Sequence, residues 1–191
     1  VNHKTHLSTN GVLLNDTIIS TLVKYKLTLL SVSLDLWMNH YDIEQGIKDS
    51  SKSAFKRILN NLDNLSLQCK TSHTNILVDI KTMVLKDNLE DILKLYEFAT
   101  NRGVEFFSIS FLRNNNLKQN PELSDVFSQD FYETNYPVEL YFDMNKFERV
   151  YAEIQKIKKY SKTKLSFTPN FDDDNPRVEL DKIKRFFMKE S

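Results

Sequence analysis

Short apolar runs alternate along the chain with stretches where apolar residues recur at helical spacing. A short strand is expected to end at Thr9, before the turn dipeptide Asn10-Gly11. Between Asp16 and Val23, Ile18, Ile19, Leu22 and Val23 share one face, and Asn15 or Asp16 suits the N-cap. Leu29 to Asp35 reads as a buried strand ending in a carboxylate. Asn39 to Lys52 is polar and is expected to be a connection, leading to a helix with Ser53, Phe55, Ile58, Leu59 and Leu62 at helical spacing. Thr74 to Val84 is β-branched and mostly apolar, which predicts a strand covered on both faces. Asp87-Asn88 is expected to cap the next helix, with apolar positions at Leu89, Ile92, Leu93, Leu95, Tyr96 and Phe98, and Gly103 to end it. Val104 to Leu112 predicts a further strand. Arg113 to Pro137, about 25 residues, is long for a connection and is expected to be an insertion or a substrate-side loop. A helix over Asn145 to Lys159, a strand over Lys164 to Thr168 and a last helix from near Pro176 complete the pattern.

Strand followed by helix, repeated, implies an α/β fold of parallel (β/α) units joined by right-handed crossovers. Whether the sheet is open or curled into a barrel is not written in the periodicity. No Pro/Gly/Ser-rich linker divides the chain, so residues 1–191 are expected to form one domain.

Composition narrows the function. The 26 basic residues balance 26 acidic ones, which argues against a protein whose task is to hold nucleic-acid phosphates. With 40% hydrophobic and 12% aromatic residues the chain has ample material for a core. The longest apolar runs fall far short of the ~20 residues that span a bilayer, and no signal peptide opens the sequence, so a cytoplasmic protein is expected. A single cysteine, Cys69, forms no internal disulfide and no Cys-based metal site alone, and is expected to be a structural thiol. Three glycines leave no room for a P-loop or a dinucleotide fingerprint.

In parallel α/β folds chemistry gathers where the strands end. The polar residues there are Thr9, Asn10 and Gly11; Ser33 and Asp35; Asp79, Lys81 and Thr82; Ser108, Ser110 and Arg113; Thr168 and Asn170. A rim of hydroxyls, carboxylates and cations suits a zwitterion. The same residues also suit outward-facing positions paired with helix side chains, and acid–base chemistry by Asp35, Asp79 and Lys81 is a further alternative. His3 and His6 would point to opposite faces of an extended segment, which disfavours a metal pair. Asp172-Asp173-Asp174-Asn175 lacks the glycine and distal glutamate of a calcium loop and reads as a solvated turn. His40 and His73 are open to Ser/His/Asp catalysis, but no nucleophile motif accompanies them.

Several segments, in order, resemble the radical SAM superfamily. Ser8-Thr9-Asn10-Gly11-Val12-Leu13-Leu14 is similar to that family's "TNG-x-LL" turn, and Ser31-Val32-Ser33-Leu34-Asp35 to its "S-x-S-L-D" strand. His40 to Gly46 followed by Ser53-Ala54-Phe55 is similar to H-x-x-x-R-G followed by "G-S/A-F" and a helix. Val78 to Asn88 resembles the next strand with its "KDN" cap, and Ala99 to Val104 the "A-x-x-x-G-V" before another. The resemblance covers roughly residues 6–112 and implies a TIM-like partial barrel that holds a 4Fe-4S cluster and S-adenosylmethionine. It implies Thr9, Ser33, Asp35, Gln45 and Lys81 as cofactor-binding positions, with Thr9 and Ser33 on the methionyl carboxylate.

Departures accompany the likeness. The C-x-x-x-C-x-x-C cluster motif and the Gly-Gly-Glu motif are missing, Gln45 stands for the usual arginine, Leu36 for glycine and Lys81 for asparagine. The sequence opens on Val1 rather than Met. The expectation is therefore the C-terminal part of a radical SAM barrel, acting on a small-molecule or peptide substrate and without nucleic-acid or membrane partners. The alternative is a diverged, non-catalytic α/β binding or interaction module on the same scaffold.

Overall fold

The strands carry apolar residues on one face and mostly hydroxyl or charged ones on the other, and the helices turn apolar stripes toward the first. The computed structural model describes residues 3–47, 52–85, 87–111, 143–168 and 170–188. In chain order the elements are β1 (His6–Thr9), α1 (Asp16–Lys24), β2 (Leu29–Ser33), α2 (Met38–Glu44), α3 (Ala54–Thr71), β3 (Leu77–Val84), α4 (Leu89–Arg102), β4 (Phe106–Phe111), α5 (Met144–Lys158), β5 (Lys164–Thr168) and α6 (Pro176–Met188).

The five strands form one parallel sheet in the order β1-β2-β3-β4-β5. Each strand therefore neighbours the next in sequence. With right-handed crossovers every helix lands on the same face, and the sheet keeps turning in one sense. A doubly wound sheet needs a reversal of strand order, and the described strands show none. The fold is α/β, and the sheet is consistent with part of a TIM-like barrel.

The core lies between the sheet and its helices. Leu30, Val32, Ile80, Phe107 and Ile109 are buried from the strands, against Ile19 of α1, Ile58 of α3, Leu95 of α4 and Ile154 of α5. Burying side chains of this size contributes about 1.5–3 kcal/mol each. An aromatic group, Phe111, Phe147, Phe167 and Phe171, closes the β4–β5 end.

Local chemistry sets the boundaries. Asn15 caps α1 by accepting the Ile18 N–H at 3.0 Å. Ser53 caps α3 through Lys56 at 3.1 Å. Gly103 ends α4 in the left-handed region at φ 68°, and the Val104 N–H returns to the Ala99 carbonyl. Gly11 has φ +78°, and a Cβ there would stand 3.0 Å from Val32 Cγ1 and 3.2 Å from Ile58 Cγ2. The turn after β1 thus needs glycine for conformation and for space.

Four expectations change. The span expected to be a polar connection contains α2, a helix too short for a periodic signal. It has no capping side chain of its own, and its Trp37 N–H is held by Asp91 instead. β3 starts at Leu77 rather than Thr74, because the Thr74 N–H closes the end of α3 on the Cys69 carbonyl. β4 starts at Phe106, since Val104 belongs to the cap of α4. β3 is not apolar on both sides: Asp79, Lys81 and Met83 alternate with buried Ile80, Thr82 and Val84. The expected loop from Arg113 to Pro137 lies outside the described residues.

Candidate functional site

Period two decides which side chains share a surface. Opposite the helices, β2 presents Ser31 and Ser33, β3 Asp79 and Lys81, β4 Ser108 and Ser110, and β5 Ser166 and Thr168. Three strands therefore repeat a hydroxyl two residues apart, a signal visible in the sequence as Ser31-x-Ser33, Ser108-x-Ser110 and Ser166-x-Thr168.

A hydrogen-bonded row crosses this face. His6 Nε2 lies 2.8 Å from Ser31 Oγ and 3.3 Å from Ser8 Oγ. Ser31 donates to Asp79 Oδ2 at 3.2 Å, and Ser108 donates to Asp79 Oδ1 at 2.9 Å. Ser108 and Ser166 lie 3.1 Å apart. With Ser31 spending its proton on Asp79, its oxygen accepts from a His6 ring protonated at Nε2. Asp79 is 5% exposed, and the two hydroxyls offset part of the cost of burying its charge. These polar strand residues pair across strands, not with helix side chains.

Toward the carboxyl ends, Ser33 sits on the same rung as Lys81, and Lys81 on the same rung as Ser108. Ser33 is exposed and Lys81 half-buried, and among the described residues neither side chain has a hydrogen-bond or ion-pair partner. The backbones are tied: the Leu34 N–H donates to the Lys81 carbonyl at 2.8 Å.

The other expected positions do different work. Thr9 shares the rung of buried Val32, so it faces the helix side, and its Oγ1 accepts the Gly11 N–H at 3.1 Å to form the turn. Asp35 Oδ1 accepts the Met83 N–H at 2.6 Å, joining the ends of β2 and β3. Burial raises the Asp35 carboxyl above the usual carboxylate range, against the pull of Met83. Gln45 ends α2, with its side chain exposed to solvent. The structure thus brings Ser33 and Lys81 together on the open face, sets Asp35 in the backbone seam beside them, and leaves Thr9 and Gln45 apart.

Two residues matter more at this rim than their pattern indicates. Asn88, expected as a cap, reaches back to the strands: Oδ1 accepts the Leu85 N–H at 2.8 Å, and Nδ2 donates to the carbonyls of Met83 at 2.7 Å and Asp35 at 2.8 Å. Asp42 is buried and accepts from Ser53 Oγ at 2.5 Å and the Phe55 N–H at 3.1 Å, fixing the start of α3. Burial alone would raise its carboxyl, but Ser53, the Phe55 and Ala54 amides and Lys56 together hold it below the usual range. Nothing in a helical pattern distinguishes such carboxylates from ordinary surface ones.

Cys69 lies in the last turn of α3, beside Ile76 and Glu105 where β3 and β4 begin, the end opposite the rim. Burial pushes its thiol up. Asp172 accepts the Phe167 N–H at 2.9 Å and Asp173 pairs with Lys182 at 3.0 Å, so that acidic turn ties β5 to α6. Among the described residues no group of three or more His, Cys, Asp or Glu is placed to hold a metal ion, and no helix is long and apolar enough to cross a membrane.

No protein-family model matches the chain, and no curated protein is significantly similar to it in sequence. Among solved structures it is similar to Streptococcus suis SuiB, both in a crystal structure of that protein and in one bound to S-adenosylmethionine. Each comparison gives 14% identity and a TM-score of 0.52, and covers 86% of this chain and 32% of SuiB. The chain therefore shares a fold with about a third of the length of SuiB.

Proposed function

We propose that the chain is part of a radical SAM-type (β/α) barrel that grips S-adenosylmethionine at its carboxyl rim, with Ser33 and Lys81 taking the methionyl carboxylate. The observation that carries this is their shared rung on the open face, next to Ser108. A hydroxyl and an ammonium without protein partners among the described residues match a carboxylate in charge and in donors. Ser110 and Thr168 share the next rung and add hydroxyls for the rest of the ligand. Asp35 and Asn88 act indirectly, by fixing the strand ends that carry Ser33 and Lys81. The S-adenosylmethionine-bound state of the fold neighbour supports the choice of ligand.

A 4Fe-4S cluster does not fit this chain's residues. It is held by several cysteine thiolates, and the single cysteine here lies at the amino end of the strands with its thiol raised by burial. The role derived for these residues is binding and orientation. The same observation favours a second reading, a non-catalytic binding module on this scaffold.

Isothermal titration calorimetry with S-adenosylmethionine tests the proposal. Saturable binding is expected, weakened by about tenfold in Ser33→Ala or Lys81→Ala, the effect of losing one hydrogen bond to a charged group. A folded protein that takes up no S-adenosylmethionine would remove the first reading and leave the second.

A further inference from the structure

A second polar pair stands on the rim, outside the open face. α2 follows β2 and α4 follows β3, so both begin at the carboxyl ends of their strands. His40, in the first turn of α2, meets Asp91, in the first turn of α4, with Nδ1 2.7 Å from Oδ2. Their exposures are unequal: the Asp91 side chain is 2% exposed and that of His40 63%. Asp91 is fixed by its surroundings, since Oδ2 also accepts the Trp37 N–H at 3.1 Å and Lys94 Nζ lies 3.7 Å from Oδ1.

This geometry selects a tautomer. An ionised carboxylate only accepts hydrogen bonds, so His40 carries a proton on Nδ1. Nε2 is left with its lone pair, and among the described residues it has no hydrogen-bond partner. Holding α2 in place does not require an exposed ring, because Tyr41 and Asp42 already anchor that helix from buried positions.

We propose that His40 is a proton-transfer residue at the barrel mouth, accepting at Nε2 a proton from a hydroxyl or ammonium group of a substrate held on the rim, with Asp91 as its positioning residue. The oxygen–hydrogen or nitrogen–hydrogen bond breaks with its electron pair kept by the substrate atom, and a new N–H bond forms at Nε2. The resulting imidazolium faces the Asp91 carboxylate through the hydrogen bond already present. The exposed ring then returns the proton to water. Lys94 is the described cation beside Asp91, and its charge falls on the oxygen that His40 does not use. The assignment does not rest on S-adenosylmethionine binding, and its test needs none.

Diethyl pyrocarbonate, which acylates an imidazole nitrogen through its lone pair, is the probe. The full chain has four histidines, His3, His6, His40 and His73, which peptide mass spectrometry resolves separately. The expected result is acylation of His40 about threefold or more faster than of His3, with the ring in the Nδ1–H tautomer by nitrogen-15 NMR. Asp91→Asn lets an amide N–H face the ring and reverses the tautomer, so the His40 rate should fall by about threefold with His3 unchanged. An Nε2–H tautomer in the unaltered protein, or a His40 rate no greater than that of His3, would overturn the assignment. The tautomer is read without any substitution, so an Nε2–H ring overturns the assignment even if Asp91→Asn fails to fold.

Discussion

Asp42 shows how one side chain links acidity to folding. Its carboxyl is held below the usual range in the folded chain, so it binds fewer protons there than in the unfolded chain. Its contribution is fully present above the unfolded carboxylate value of about 3.9 and is lost as pH falls through the lower folded value. The urea midpoint of the unaltered chain should therefore fall between neutral pH and about pH 3, and that of Asp42→Asn should fall much less. Equal losses in both proteins would show that Asp42 is not responsible. Asp35 works in the opposite sense. Burial raises its carboxyl, so its charge costs stability near neutrality and protonation relieves that cost. The two carboxylates lie near the same rim yet answer pH in opposite directions, which is why the substituted protein is needed to separate them.

At the scale of elements, Asn88 ties together the segments that follow β2 and end β3. One amide accepts the Leu85 N–H and donates to the Asp35 and Met83 carbonyls. Asn88→Ala leaves those groups without their partner and should cost about 1–3 kcal/mol in chemical denaturation. It should also weaken S-adenosylmethionine binding without touching ligand, because Ser33 and Lys81 would no longer be held in register. A variant with unchanged stability would mean that water replaces the amide fully. Much of this scale was legible in advance: Asn15 and Gly103 mark the ends of α1 and α4, and Lys164–Thr168 matches its apolar run. α2 was not legible, since its start depends on Asp91, many residues away in sequence. Asp91 itself sits where an acidic residue is ordinary at a helix start, so its burial left no trace in the pattern. The open face was half legible. Ser33, Lys81, Ser108 and Ser110 were among the polar strand-end positions, but so was Thr9, and the register puts Thr9 on the opposite face.

At the scale of the molecule, strand order equals chain order, and that has a consequence for how firmly each part is held. Among the described residues, β3 is flanked by β2 and β4, whereas β1 and β5 each have one neighbour in the sheet. Opening at either end breaks a single ladder; opening β3 breaks two. Amide hydrogen exchange should therefore slow from both ends toward the middle, with Ile80 and Thr82 among the most protected positions and the β1 amides among the first to exchange. Ser33 and Lys81 lie on inner strands of this gradient and His6 on one of the two end strands described. Whatever the open face receives, its inner residues are held by the slowest-opening part of the sheet, and its His6 end can open first while they stay in place.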